Sequence, residues 1–377
     1  MTKKITISYS RAETWKECPY KDWLKYDQHV RPLEEGASLF FGGCIDNALG
    51  FLLNCKKEGK EDIGLTSFKE LFLVDKDRGW NNAFDSSKHR YSRADYDDDV
   101  LWLADDKALL KKWEEELKVK TFDVLKDEKQ KKYKVFSGNK LTFFNRICWL
   151  SLKRKGQLML DAFAKEILPK IKKVIAVQHA IVGEIGDIAE AKGYIDLICE
   201  YEGYDKPIIF DIKTSGMVYE DDSIHFSHQL QTYLAVVGPD LETDFAGYIV
   251  LLKFMKKKEV CSSCGGIKTT RHRTCNAETA TKGRCNGKWS TIPEGHTQVQ
   301  VKEISKEVQA EALQGLANIA VTINNGLIWK DLGSCKGKYG LCDMFFLCHY
   351  KDRSRYRIPE KSEINKLLPV INNEETK

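Results

Sequence analysis

Residues 193–215 constrain the fold more than any other stretch of the chain. They read Gly-Tyr-Ile-Asp-Leu-Ile-Cys-Glu-Tyr-Glu-Gly-Tyr-Asp-Lys-Pro-Ile-Ile-Phe-Asp-Ile-Lys-Thr-Ser. Apolar runs at 194–201 and 207–212 have the length and β-rich makeup of buried strands. Residues 202–206 have the composition of a turn, and Pro207 opens the second run. A hairpin centred on Gly203 and Tyr204 sets Asp196 opposite Asp211, with Lys213 on the same face as Asp211. Two carboxylates and one amine then meet on an otherwise apolar sheet. Buried charges are costly unless paired or metal-bound, so the pattern suits a divalent cation held by carboxylates with a lysine beside it.

The rest of the composition sets the frame. At 377 residues the chain can form one large domain or two of ordinary size, and 42% hydrophobic residues supply a real core. No apolar run reaches about 18 residues, so no membrane span is predicted. The start, Met1-Thr-Lys-Lys-Ile-Thr-Ile-Ser, has no apolar signal core, which predicts a cytoplasmic protein. A net charge of +5, from 60 basic and 55 acidic residues, is too mild to indicate nucleic acid by itself.

In chain order, Ser10-Arg-Ala-Glu13 reads as a capping box opening the first helix. Trp15, Cys18, Trp23 and Tyr26 follow at helical spacing, and Pro19 is an expected bend. Gly42 and Gly43 precede Asp46 at the expected start of a helix running to about Lys57. Taken alone, Asp46 reads as compensation of the helix dipole. Residues 58–155 read as a helical insertion. Its acidic run Asp95, Asp97, Asp98 and Asp99 would open a helix over 100–118, and the Lys-rich stretch 126–134 reads as solvated. Beyond it the pattern predicts a helix at 156–172, a strand at 174–184, the hairpin, a helix at 225–237 and a strand at 245–254. This αβββαβ order implies an α/β fold with a mixed central sheet. A strand at 297–304 is expected to pair back onto 245–254, Ser305 to cap a helix to about Asn325, and residues 350–377 to form a loose polar tail.

Twelve cysteines without a secretion signal read as metal ligands before disulfides. Cys261-x2-Cys264-x10-Cys275-x9-Cys285 has the spacing of a four-cysteine zinc module, with Gly265 and Gly266 fitting the turn after a knuckle. A redox CxxC would not need the second cysteine pair. His272 is a weaker candidate ligand. Lys256, Lys257, Lys258, Lys268, Arg271, Arg273, Lys282, Arg284 and Lys288 make the module basic. That fits nucleic-acid contact, although zinc also stabilises small folds without such a role. Cys44, Cys55, Cys148 and Cys199 lie in apolar surroundings and read as buried small hydrophobes. Cys18 reads either as a remote ligand of a metal cluster or as a core cysteine at a bend.

Four pieces in this order resemble the PD-(D/E)XK nuclease superfamily, in its RecB-like exonuclease branch: Gly42-x-x-x-Asp46, Gly193-x-x-Asp196, Asp211-Ile212-Lys213 and Gln229-x-x-x-Tyr233. That branch includes nucleases of CRISPR adaptation and many phage exonucleases. The resemblance covers roughly 5–55 and 156–255 plus the terminal cysteines. It implies a restriction-endonuclease-like core; the helical and zinc-binding insertions lie outside it. The matching divisions are 1–57 for the N-terminal part of the core, 58–155 for the helical insertion and 156–255 for the catalytic core. Residues 256–292 form the zinc module, 293–350 a strand, helix and cysteine cluster, and 351–377 a tail. Aspartate stands at position 46 where most members place histidine. Some members also hold a [4Fe–4S] cluster with one early and three late cysteines. Cys18, Cys335, Cys342 and Cys348 fit that outline, although six residues rather than the usual two separate Cys335 from Cys342. Plain packing or a second zinc stays open beside the cluster.

The resemblance implies Mg²⁺- or Mn²⁺-dependent phosphodiester hydrolysis on DNA. Asp196, Asp211, Asp46 and the Ile212 carbonyl would be metal ligands, Lys213 would act on the attacking water or the developing charge, and Gln229 and Tyr233 would orient DNA or Lys213. No G-x-x-x-x-G-K-[ST] motif occurs, so a helicase or recombinase would be a separate partner. The alternative is a DNA-binding zinc protein on a nuclease fold, acting as a non-catalytic subunit of a recombination complex. A free-standing nuclease with a zinc insertion looks phage-like.

Overall fold

The structure, a computed structural model, describes residues 4–84, 88–91, 115, 123–127, 132–136, 140–268, 274–275, 277, 284–285, 287–337 and 340–364. The acidic run 95–99, nearly all of the expected helix 100–118, His272, and Arg271, Arg273 and Lys282 of the basic module lie outside the described residues.

Strand β1 (Ile5–Ser8) leads directly into helix α1 (Tyr9–Glu17). The cap is Ser8 rather than Ser10: the extended backbone at the end of β1 lets Ser8 Oγ accept from the Arg11 N–H at 3.1 Å. Cys18 is the extended residue that closes α1, and Pro19 opens a new one-turn helix, Pro19–Asp22. The expected bend is therefore a helix boundary, where the missing N–H of proline costs nothing.

Helix α2 (Ala37–Lys57) begins well before Asp46, so Gly42, Gly43 and Asp46 sit inside it. Its buried stripe from Ala37 to Cys55 outweighs the roughly 1 kcal/mol that each interior glycine costs. Among the described residues it is the one helix long and apolar enough to cross a membrane, but that apolar face is taken up by the core. Helix α3 (Glu61–Val74) follows, and helix α4 (Lys140–Ala162) runs on through π and 3-10 turns to Lys170. Between them Asp123–Asp127 and Lys132–Phe136 form a two-stranded ladder, so the insertion is not purely helical and part of the Lys-rich stretch is strand.

The central sheet contains β1, β2 (Ile171–Ile185), β3 (Ala189–Tyr201), β4 (Ile208–Ser215), β5 (Phe245–Cys261) and β6 (Trp289–Glu303). Between β4 and β5 lies helix α5 (His228–Leu241), and helices α6 (Lys306–Asn324) and α7 (Phe345–Tyr350) follow β6. Ser305 caps α6 as expected. The sheet is mixed. β3 pairs antiparallel with β2 along one edge, while its other edge is shared between β4 at one end and parallel β1 at the other. β5 runs parallel to β4 and antiparallel to β6. The observed hairpin pairs Leu197 with Phe210, Ile198 with Ile209 and Cys199 with Ile208, the register expected from the sequence.

One face of the sheet packs Leu197, Phe210, Ile249 and Leu251 against α2, α3 and α4. The other packs Ile195, Ile198, Ile209 and Val250 against Leu230, Tyr233 and Leu234 of α5. Cys44, Cys55, Cys148 and Cys199 are all buried in the core. Residues 351–364 do not hang loose as expected. Tyr356 and Arg357 pair with Pro32 and Arg31, Ser362 Oγ donates to Gln28 Oε1 at 2.9 Å, and Ile364 is 1% exposed. The rest of the expected tail, 365–377, lies outside the described residues.

Candidate active site and cysteine centres

The β3–β4 ladder stops at Leu197 and Phe210, one residue short of the two aspartates. There the strands part, and the Asp196 side chain takes the place of a backbone partner. Its Oδ2 accepts from the Ile212 N–H at 2.7 Å. Asp211, 2% exposed, stands across the fork. Lys213 Nζ lies 3.0 Å from Asp211 Oδ1 and 2.8 Å from Oδ2, but Oδ2 accepts no directed hydrogen bond.

Helix α5 closes the site from one side. Gln229 Nε2 donates to Asp211 Oδ1 at 3.1 Å and to the Tyr233 hydroxyl at 2.8 Å, and Gln229 Oε1 accepts from Lys213 at 3.4 Å. Tyr233 in turn donates to the Tyr194 carbonyl at 2.8 Å. The chain of contacts explains Gly193: a Cβ there would stand 2.9 Å from the Tyr233 ring. Gln229 and Tyr233 thus address the Asp211–Lys213 pair rather than an open surface.

Helix α2 brings Asp46 from the other side. Asp46 Oδ2 accepts from Gln178 Nε2 at 3.0 Å. The sequence reading missed Gln178. It lies on β2 between Val177 and His179, which pair with Leu197 and Ile195 around Asp196. Its φ of 47° is the left-handed region, rare for a residue with a side chain. The available sequence signal was a lone amide inside an apolar strand. Tyr9, at the start of α1, was also missed. Burial pushes its hydroxyl up to about 12, and Lys213 and Asp211 are among the charges acting on it.

The acids lie at the edge of the core, Asp211 buried and Asp46 and Asp196 half-buried. Burial, and then the Asp211 charge, push the Asp196 carboxyl up to about 7, against the pull of the Ile212 N–H. Burial also raises Asp211 although Lys213 opposes it, and burial raises Asp46. Burial alone would lower Lys213, but the Asp211 carboxylate reverses this and holds the amine above its ordinary value. Lys213 is therefore an ammonium near neutral pH. Asp46, Asp196 and Asp211 act on one another through their charges, but their carboxylate oxygens are not all gathered within 4.8 Å, so a hard cation there would need the acids to close around it.

At the far end of β5 the picture is different. The ligand atoms of Cys261, Cys264, Cys275 and Cys285 all lie within 4.8 Å of one another, with Cys261 and Cys285 sulfurs 3.4 Å apart and Cys264 and Cys275 3.7 Å apart. A tetrahedron with Zn–S of about 2.3 Å places sulfurs about 3.8 Å apart. Backbone N–H groups of Cys264 and Ser263 bring the Cys261 thiol down to about 6, favouring thiolate. A Cβ on Gly287 would stand 2.4 Å from Cys261 Sγ, so the second knuckle closes directly over the first.

Cys18, Cys335, Cys342 and Cys348 line one small pocket with Tyr20, Lys21 and Phe345. The unusual spacing between Cys335 and Cys342 is absorbed by a hairpin in which Lys336–Gly337 pair with Gly340–Leu341. The Cys342 N–H donates to the Cys335 carbonyl at 2.9 Å, so the two cysteines are neighbours despite the insertion. Cys335 Sγ also lies 3.2 Å from His349 Nε2. Among the described residues only the first set is gathered within 4.8 Å; the second faces a common space but is more widely spread.

The family model for the PD-(D/E)XK nuclease superfamily matches residues 6–351. No curated protein matches the chain. A solved structure described as "Crystal structure of SSO0001" is 17% identical, over 44% of this chain and 56% of that one, with a TM-score of 0.22. The chain thus spans little more than half of that protein, and a likeness this weak carries no argument. The family match reaches from β1 past α7 and takes in the fork with its aspartates. The chain belongs to the PD-(D/E)XK nuclease superfamily, whose members are typically metal-dependent nucleases.

Proposed function

We propose that the protein is a Mg²⁺- or Mn²⁺-dependent deoxyribonuclease of the RecB-like exonuclease type, acting in DNA recombination, repair or phage DNA metabolism. The observation that carries this reading is the strand fork that sets the buried Asp211, 2.8 Å from Lys213 Nζ, beside Asp196. Asp46, Asp196, Asp211 and the Ile212 carbonyl would hold the cation. When bound, it lowers the pKa of the attacking water and offsets charge on the scissile phosphate.

The chain supplies the rest. Lys213, 3.0 Å from Asp211 Oδ1, would position the attacking water or stabilise the charge that builds on the phosphoryl oxygens. Gln229 holds Lys213 and Asp211 in register, and Tyr233 holds Gln229. A non-catalytic DNA-binding subunit would have no use for an acid pair kept in the core at the cost of desolvation.

Zinc is assigned to Cys261, Cys264, Cys275 and Cys285, and a [4Fe–4S] cluster to Cys18, Cys335, Cys342 and Cys348. The first rests on the gathered sulfurs, the second on the shared pocket and the hairpin joining Cys335 to Cys342. The cluster would fasten the N-terminal turn to the C-terminal segment.

The test is incubation with end-labelled linear DNA and with circular DNA, with Mg²⁺ or Mn²⁺. Linear DNA should be degraded from its ends, EDTA should stop turnover, and Lys213→Ala should be inactive. Cleavage by Lys213→Ala at the wild-type rate would overturn the site. Zinc, iron and labile-sulfide analysis of the same sample decides both cysteine assignments.

A further inference from the structure

The loop after α3 holds one cation in an unusual way. Asp75 Oδ1 accepts from the backbone N–H groups of Asp77 at 3.0 Å and Arg78 at 2.7 Å. The Asp75 carbonyl accepts from Gly79 N–H at 3.0 Å, and Asn82 Nδ2 ties the carbonyls of Asp75 and Lys76. The loop then ends in Trp80, fully buried, whose indole donates to the Trp149 carbonyl while the Trp149 indole donates to the Trp80 carbonyl. The backbone of this segment is held at each turn, which fixes where the Arg78 side chain starts.

The Arg78 side chain is exposed and lies over the bare backbone of α2 at Gly43. A Cβ on Gly43 would stand 3.0 Å from its Nη1. Gly43 and Asp46 are three residues apart on one helix and share a face, so the guanidinium sits beside the acid at the mouth of the fork. Its charge acts on Asp46, yet among the described residues no carboxylate forms an ion pair with it. An arginine held next to an acid cluster but not paired with it has its hydrogen-bonding fork free for another anion.

We infer that Arg78 binds a backbone phosphate of the DNA strand entering the site, so that the insertion after α2 contributes directly to substrate binding. The inference rests on the nuclease reading of the fork. Asp46, Asp196 and Asp211 repel an incoming phosphodiester, and Lys213 is engaged by Asp211. Arg78 supplies the missing cation on the α2 side, and its planar fork matches two phosphate oxygens. Gly43 is the residue that permits this position.

The experiment is equilibrium binding of a short fluorescent DNA strand across a salt series, with Ca²⁺ in place of Mg²⁺, for wild type, Arg78→Ala, Arg78→Lys and Gly43→Ala. Arg78→Ala should weaken binding about tenfold and lower the slope of log affinity against log salt by about 0.7 to 0.9, the loss of one phosphate contact. Arg78→Lys should restore the slope but only part of the affinity. Gly43→Ala keeps the charge and asks the flexible guanidinium to give only slightly, so it should keep the wild-type slope and change affinity far less than Arg78→Ala. Wild-type affinity and slope in Arg78→Ala would overturn the inference. So would an Arg78→Ala effect confined to Mn²⁺ affinity, which would mean that Arg78 serves only to offset Asp46. Because the readout is binding, wild-type protein that fails to cleave DNA with Mg²⁺ or Mn²⁺ would sink the nuclease reading while the salt slope still decides Arg78.

Discussion

One strand, β5, links two centres built on opposite principles. Near its start it lies beside β4, pairing Tyr248 with Asp211 and Val250 with Lys213; its far end is Cys261. At the fork, an apolar sheet and two helices hold charged groups where they are poorly solvated, and one carboxylate oxygen is left without a hydrogen bond. At the tip, four sulfurs lie within 4.8 Å of one another at the end of the β5–β6 ladder. The fold makes the first centre and bears its cost. On the proposed assignments, a metal at the fork would serve chemistry, whereas one at the tip would serve folding, as in small metal-dependent folds.

The largest expected effect separates the two. Asp211→Asn should cut turnover about a thousandfold while zinc content and the melting temperature stay near wild type. A variant that lost zinc along with activity would show that the centres are not independent. Next, Gly287→Ala should weaken zinc binding by about 10- to 100-fold, because its methyl collides with Cys261 Sγ, and should leave Mn²⁺ binding unchanged. Stripping zinc with a chelator should expose residues 262–288 to protease while the sheet resists; simultaneous loss of the sheet would break the comparison. The smallest effect belongs to Tyr233→Phe. Losing the hydroxyl that joins Gln229 to the Tyr194 carbonyl should slow turnover roughly tenfold without altering zinc content.

Much of the fork was legible because its determinants are local. A short turn fixes the hairpin register, and register alone sets Asp196 across from Asp211. The cysteine tip was legible for the same reason, its spacing being written in four knuckle residues. What the sequence hid depends on distant partners. Gln178 reaches Asp46 only because β2 pairs around Asp196 and turns its backbone left-handed there. The start of α2 was misplaced because glycines argue against a helix locally, and only the core it meets overrules them. Ser8 beats Ser10 as the cap because β1 ends there, a fact set by pairing with β3. The packing of 356–364 is decided by Gln28 and Pro32, more than three hundred residues away in the chain.

Those distant pairings shape how the molecule can be made. On the ribosome β1 emerges well before its partner, and Ile5 has no strand to pair with until Ala189 has been synthesised. The N-terminal turn around Gln28 waits longer still, for Ser362. Strand β1 therefore cannot complete its pairing until the chain as far as Lys192 has been made, and the turn around Gln28 closes only with the C-terminal segment.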